Sequence, residues 1–402
     1  MTTLAGSLTP SRAYPTKRHD AWRYAPHRLL ADLVFGPSVE PPAETVPDLD
    51  DPAPDLAGAR VVIVNGVVDA QRSRLDAEAG LTLSTLRTAI LQNSPLAAAH
   101  RSLDESADGF SLANVEYGVD GAVIDVAPGV HLDDVIHVVD IAHASAEKRA
   151  SCTGVIVHLG AGATATVVES RVGYGTGFGG SNVRTTVTLD DGAQLDHIVL
   201  QDLPTAHVHL SRVEVAQAAG STYRSRSFNL GAAYGRLASE VHLDGPGALA
   251  DLSGLSFGTE DQTLDQQITV VHAVEGCTSR QSFRSVLDDR SVGIFNGSIE
   301  VRPGADGSDA AQTSDNLLLS DRAEVNSQPR LEILADEVTC THGATVGQLN
   351  ETALYYLRTR GISREAARRL LITAFADQVV DDVGIEAVRT WITERLGRND
   401  HA

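Results

Sequence analysis

From about residue 110 to 345 the apolar and polar positions succeed one another at the spacing of strands. Segments such as AVIDVAPG, GVIVHLGAGATATVVES, NVRTTVTLDDGAQLDHIVLQD and ITVVHAVEGCTSRQSF alternate or carry short apolar runs, each ended by Gly, Asp-Gly or Pro-Gly. The turns recur. Glycine followed by a small residue stands at Gly162-Ala163, Gly192-Ala193, Gly220-Ser221, Gly247-Ala248, Gly276-Cys277 and Gly304-Ala305, at intervals of 30, 28, 27, 29 and 28 residues. A period of this size marks a solenoid, propeller or array. Four-stranded propeller blades need more residues, and helical repeats would show a 3.6 periodicity that this tract lacks. Coils of a β-helix fit the period, with two or three short strands and tight corners in each coil. A large β-sandwich with glycine turns at chance spacing is the competing architecture.

The flanks have other patterns. Residues 1–105 read as a mixed N-terminal region. It opens with DAWRYAPHRLLADLVF, passes through an acidic, proline-rich linker over 36–57, and continues with the strand-like ARVVIVNGVVDA. In LSTLRTAILQN the positions Leu83, Leu86, Ile90 and Leu91 keep helical spacing. The β-helix core is expected over 106–345 and a helical domain over 346–402. There Asn350 caps a first helix that Gly361 ends, and Ser363 caps a second. The second helix is predicted to bury Ala367, Leu370, Leu371, Ala374 and Phe375, and a third to bury Ile385, Val388, Ile392 and Leu396.

Composition narrows the function classes. The chain has 402 residues, enough for a sizeable core, with 42% hydrophobic but only 4% aromatic residues and 35 glycines, as a strand-and-turn protein requires. A formal net charge of −21 repels a phosphate backbone and argues against nucleic acid as a partner. Three widely separated cysteines, Cys152, Cys277 and Cys340, make no disulfide framework and suit a reducing cytoplasm. The N-terminus lacks an apolar signal core, and no apolar run reaches the roughly 18 residues of a membrane span, so a soluble cytoplasmic protein is expected.

Several motifs invite chemistry. Gly175, Gly177 and Gly180 spell G-x-G-x-x-G, but the β-branched NVRTTVTLD that follows reads as a strand, whereas a dinucleotide site needs a helix there. No phosphate-binding G-x-x-x-x-G-K-[ST] occurs. His207 and His209 share a strand face and, with Glu214, resemble the first metal motif of cupins, which makes a stand-alone β-helical or cupin-like metalloenzyme the alternative function. The acid pairs Asp133-Asp134, Asp190-Asp191 and Asp288-Asp289 place neighbours on opposite strand faces and are mostly explained as turns. In CTHGAT, Cys340 and His342 supply two donors, short of the four that close a structural metal site.

The tract NLLLSDRAEVNSQPRLEILADEVTCTHGATVGQLNETALYYLRTRGISREAARRLLITAF resembles the SufB/SufD family of iron-sulfur cluster assembly scaffold proteins. The upstream DLSGLSFGTEDQTLDQQITVVHAVEGCTSRQSFRSVL, the strand AQTSDNLLLS and the N-terminal DAWRYAPHRLL resemble the same family. The turn T-H-G-A-T, a preceding strand without cysteine and the short chain put it on the SufD side. Arg284 stands where that family usually has lysine. The resemblance implies a right-handed parallel β-helix with helical parts at both ends, and a non-catalytic subunit of a cytosolic complex with SufB and the ATPase SufC. It further implies β-helix pairing with SufB and docking of the C-terminal helices on SufC, for which Leu354, Tyr355, Arg360, Leu370, Leu371 and Phe375 are the candidate contacts. A transient iron-sulfur cluster would sit at the SufB/SufD interface, with His342 as a ligand from this chain and Cys340 as the second candidate. The isolated chain is expected to hold no cofactor. Flavin (FAD) binding by the assembled complex, the cluster type and homodimer formation stay open.

Overall fold

The computed structural model describes residues 14–36, 52–75, 78–103, 107–143 and 149–398, so most of the expected linker lies outside the described residues. The chain winds into a parallel β-solenoid of about seven turns. Two ten-stranded sheets form its walls, and from His131 onward successive strands alternate between them. Each strand pairs in register with the equivalent strand one coil away: Val208 with Tyr234, Tyr234 with Thr263, Thr263 with Val292, and Val292 with Glu324. Only the first strands break the parallel rule, Arg60–Val64 with Val67–Val68 and Leu81–Thr85 with Gly121–Val126.

The glycine period marks one corner of each coil. Gly162, Gly192, Gly220, Gly247 and Gly276 all adopt φ between 64° and 73°. A Cβ added at any of them would meet nothing within 4 Å, so the backbone conformation, and not lack of space, demands glycine. The Gly192 N–H donates to Ala219 O one coil on (2.8 Å), as Gly162 does to Asp191 O (2.8 Å). The small residue that follows fills the corner: Ala163, Ala193, Ser221, Ala248 and Cys277 are fully buried. The last corner corrects the sequence reading. Thr278 pairs with Asp309, so the equivalent of Gly276-Cys277 is Gly307-Ser308, displaced from Gly304-Ala305 by a longer corner.

Inside the solenoid, alanine, valine and leucine stack with Tyr223, Phe283 and Phe295 into one core. A polar layer interrupts it in the early coils. Glu169, fully buried, accepts from Thr185 Oγ1 (3.0 Å), pairs with Arg171 and lies 2.8 Å from His197 Nε2. His197 Nδ1 reaches the Tyr223 hydroxyl (2.8 Å) and His209 Nδ1 pairs with Ser181 Oγ (2.7 Å); on the outer face of the sheet, His137 Nε2 lies 2.9 Å from Ser170 Oγ.

Among the described residues seven α-helices flank the stack: α1 (His27–Ala31), α2 (Leu86–Leu91), α3 (Pro95–His100), α4 (Gly109–Tyr117), α5 (Glu351–Thr359), α6 (Arg364–Val380) and α7 (Glu386–Arg398). None among the described residues is long and apolar enough to cross a membrane. Asn350 and Ser363 cap α5 and α6 through their side chains, as their positions predict. Two helical expectations need correction. Thr85 caps α2, its hydroxyl accepting from Thr88 N, so Leu83 belongs to the preceding strand. In α6 the buried positions are Ala367, Ile372, Ala376, Val379 and Val380, while Leu370 is 51% exposed. The run RLLITAF is apolar on too many sides to fix its own phase, and the contact with the outer sheet face and α7 decides it. That contact includes Val62, Val139, Phe228, Leu255, Phe257 and Trp391. A strap at Pro52 closes it: the Pro52 carbonyl accepts from Trp391 Nε1 (2.7 Å) and Arg395 Nη2 (2.8 Å), and Arg395 Nε bonds Asp202 (2.6 Å).

Gly192→Ala is expected to cost about 1 kcal/mol through its left-handed backbone alone, and Ala193→Leu roughly 3 kcal/mol through overpacking the corner; urea unfolding checks the order, and equal costs would contradict it. Burial, reinforced by nearby arginines, pushes His137 and His209 down to about 3. The unfolded chain therefore binds protons below its ordinary histidine pKa that the folded chain refuses. Stability is complete above about pH 6.5 and falls as the pH drops toward 3, by roughly 2 kcal/mol per buried histidine at pH 5. His209→Gln should flatten that slope in unfolding curves taken between pH 7 and 5.

Candidate functional site

In-register stacking leaves the far end of the solenoid unfinished. The last strands, Glu324–Ile333 and Thr339–Gln348, each pair on one side only, with Val292–Val301 and Asp309–Leu318. Their other edges present ten residues each of backbone with no strand beside them among the described residues, the arrangement that lends itself to pairing with another chain. In the penultimate coil Ala310, Gln312, Ser314 and Asn316 are buried and face the interior. Register sets Cys340 on Ala310, His342 on Gln312, Ala344 on Ser314 and Val346 on Asn316. These four therefore line the same interior side, but with no further coil among the described residues to cover them. Val346 is 57% exposed and His342 is exposed.

The interior just below this mouth is polar. Gln312 Nε2 donates to Gln281 Oε1 (2.8 Å), and Ser327 Oγ meets Ser314 Oγ (3.3 Å). Asn316 Nδ2 donates to the Thr345 carbonyl (2.9 Å). Cys340 is half-buried against Ile299, Val301, Ala305 and Ala310. Burial raises its thiol pKa, with a hydrogen bond from the Ala310 backbone working the other way, so at neutral pH it stays protonated. An open imidazole beside a partly packed thiol can bind a soft metal centre, but weakly. No group of three or more His, Cys, Asp or Glu among the described residues could hold a metal ion. The donors Cys340 and His342 form a fragment of a site.

The other sequence candidates separate. His207 and His209 face the interior, whereas Glu214, an odd number of residues along the same strand, faces outward and pairs with Arg184 and Arg212. Strand parity thus removes the cupin-like set. The G-x-G-x-x-G loop joins strand Thr164–Tyr174 to strand Gly179–Leu189, so a strand and not a helix follows it. Asp190-Asp191 and Asp288-Asp289 lie at turns, and Asp133-Asp134 at a register shift in a strand. Cys152 is buried, with a thiol raised by burial and by Asp140, and Cys277 fills a corner; all three cysteines are free.

On the C-terminal helices, Leu354 is buried, Tyr355 is 68% exposed and Leu371 is half-buried. Arg360 stacks on Tyr356 (5.1 Å to the ring centroid), and Phe375 lies under Arg284 (4.8 Å). The exposed apolar surface here is Tyr355, Tyr356 and Leu370. Tyr356 escaped the sequence reading, although its place beside Tyr355 at the N-terminal side of Arg360 was a usable signal.

Comparison with known proteins places the chain as a whole. Residues 141–375 match the family described as SUF system FeS cluster assembly, SufBD core domain. The chain is 28% identical to the Escherichia coli iron-sulfur cluster assembly protein SufD, across 96% of this chain and 89% of that protein. It is 26% identical to a Synechocystis iron-sulfur cluster assembly SufBD family protein, across 96% and 87%. With the Bacillus subtilis iron-sulfur cluster assembly protein SufD it shares 33% identity over 39% of this chain and 36% of that protein.

Proposed function

Because the chain belongs to the SufBD core family of the SUF iron-sulfur cluster assembly system, we propose that it is a SufD-like scaffold subunit acting with SufB and SufC. The observation that carries this reading is the open solenoid end, where two edge strands paired on one side only stand together and the second carries His342 and Cys340. The nascent cluster is cargo. Thiolates usually hold such clusters and imidazole can replace some of them, so His342 supplies one ligand and SufB the thiolates this chain lacks. Cys340 ranks second, because its thiol is raised and packed against the last core layer.

A divided ligand set suits a protein that must release what it builds. Separation of the two chains breaks the site, and an isolated half keeps too few donors to retain the product. The edge strands would meet SufB by adding strand to strand. A second copy of this chain offers the same edges, so homodimers are the expected form when SufB is absent. Tyr355, Tyr356 and Leu370 offer SufC an apolar surface on α5 and α6. No catalytic role is assigned to this chain, and nucleotide hydrolysis falls to SufC.

Co-expression with SufB and SufC is expected to yield a stable complex, and failure of every pairing in a pull-down would contradict the reading. His342→Ala should leave that complex intact and lower its cluster content, read by visible absorbance, about tenfold; Cys340→Ala should lower it less. Leu370→Asp should weaken retention of SufC while SufB stays bound.

A further inference from the structure

The strand that carries His342 has an anchorage on its outer face as well. Thr345 Oγ1 donates to Asp315 Oδ1 (2.7 Å), and Asp315 Oδ2 lies 3.3 Å from Arg284 Nη2. Arg284 then leaves the solenoid for α6. Its Nη1 reaches the Phe375 carbonyl (3.5 Å), its Nη2 donates to Gln378 Oε1, and its guanidinium carbon lies 4.8 Å from the centroid of the Phe375 ring. Register aligns these groups on consecutive coils, Arg284 with Asp315 and Asp315 with Thr345. On the other side of Arg284 the same column continues as Leu255 and Phe228, which lie in the apolar cluster beneath α6 and α7. The polar column thus begins at Arg284, which α6 still touches, and runs outward from the helical cover.

We infer that Arg284 and Asp315 are positioning residues that tie the edge strand Thr339–Gln348 to helix α6. An edge strand bonded on one side is the part of a sheet most prone to local opening. Asp315 uses one oxygen on that strand and the other on Arg284, while the guanidinium fork keeps further donors for α6. A lysine at 284 keeps a charge for Asp315 but lacks the fork that holds Phe375 O and Gln378 as well. A displacement of α6 is therefore felt at the strand bearing His342, through side chains in direct contact. The significance of this tie rests on the proposed function; its existence does not.

Hydrogen exchange on the full chain, diluted until its mass in solution is that of the monomer, tests the tie, and because neither SufB, SufC nor cluster enters the measurement, its failure is separable from failure of the proposed function. Gln378 is exposed on α6, and alanine preserves the helix, so Gln378→Ala folds. This variant is expected to raise exchange about threefold at residues 343–347 as well as in α6, and Arg284→Lys to do the same. Arg368→Ala is the control. It cuts a separate tie between α6 and Asp288 while leaving the Arg284 bridge whole, and should raise exchange in α6 but less than Gln378→Ala at 343–347. Unchanged exchange at 343–347 in Gln378→Ala, or an equal rise there in Arg368→Ala, overturns the inference.

Discussion

Parallel in-register pairing between coils is the constraint from which the rest of the structure follows. Each strand finds its hydrogen-bond partners one coil above and one below, so the backbone is satisfied along the stack without any closing of the sheets. The same rule aligns side chains into columns. Columns of small residues make the corners, columns of valine and leucine make the core, and columns of amides and hydroxyls make the polar interior near the end. A stack of this kind also has to stop. Where it stops, both the edges and the interior column positions lack their next neighbour, and that is where His342 stands.

The solenoid was legible because its corners impose a backbone requirement that few residues meet. Gly162, Gly192, Gly220, Gly247 and Gly276 stand at positive φ, and each is followed by a residue small enough for the corner. The displaced last corner at Gly307 shows the limit of such counting, since only strand register tells two nearby glycine turns apart. The phase of α6 was not legible. RLLITAF offers apolar residues on most of its circumference, and the sheet beneath decided which of them to cover. Capping by Asn350 and Ser363 was legible because it is a local bond.

Candidate chemistry divided in a similar way. Parity along one strand suffices to separate Glu214 from His207 and His209, and the sequence alone contained that information. The buried network of Glu169, Arg171, His197 and Tyr223 joins residues from different coils, and no local pattern announces it. For Cys340 and His342 the spacing announced two donors, whereas the exposure of His342 depends on being in the last coil. The role of Arg284 was the least visible of all, because its partners lie on α6, some 90 residues away in sequence.

The strap at Pro52 has a consequence for the order in which the chain is made. Its carbonyl is held by Trp391 and Arg395, and the outer faces of the early strands, among them Val62, Val139 and Val168, lie in one apolar cluster with α6 and α7. A ribosome produces those strands before their cover. Until α6 and α7 emerge, the growing solenoid therefore carries a bare apolar wall, and their arrival lets segments more than 300 residues apart meet across it.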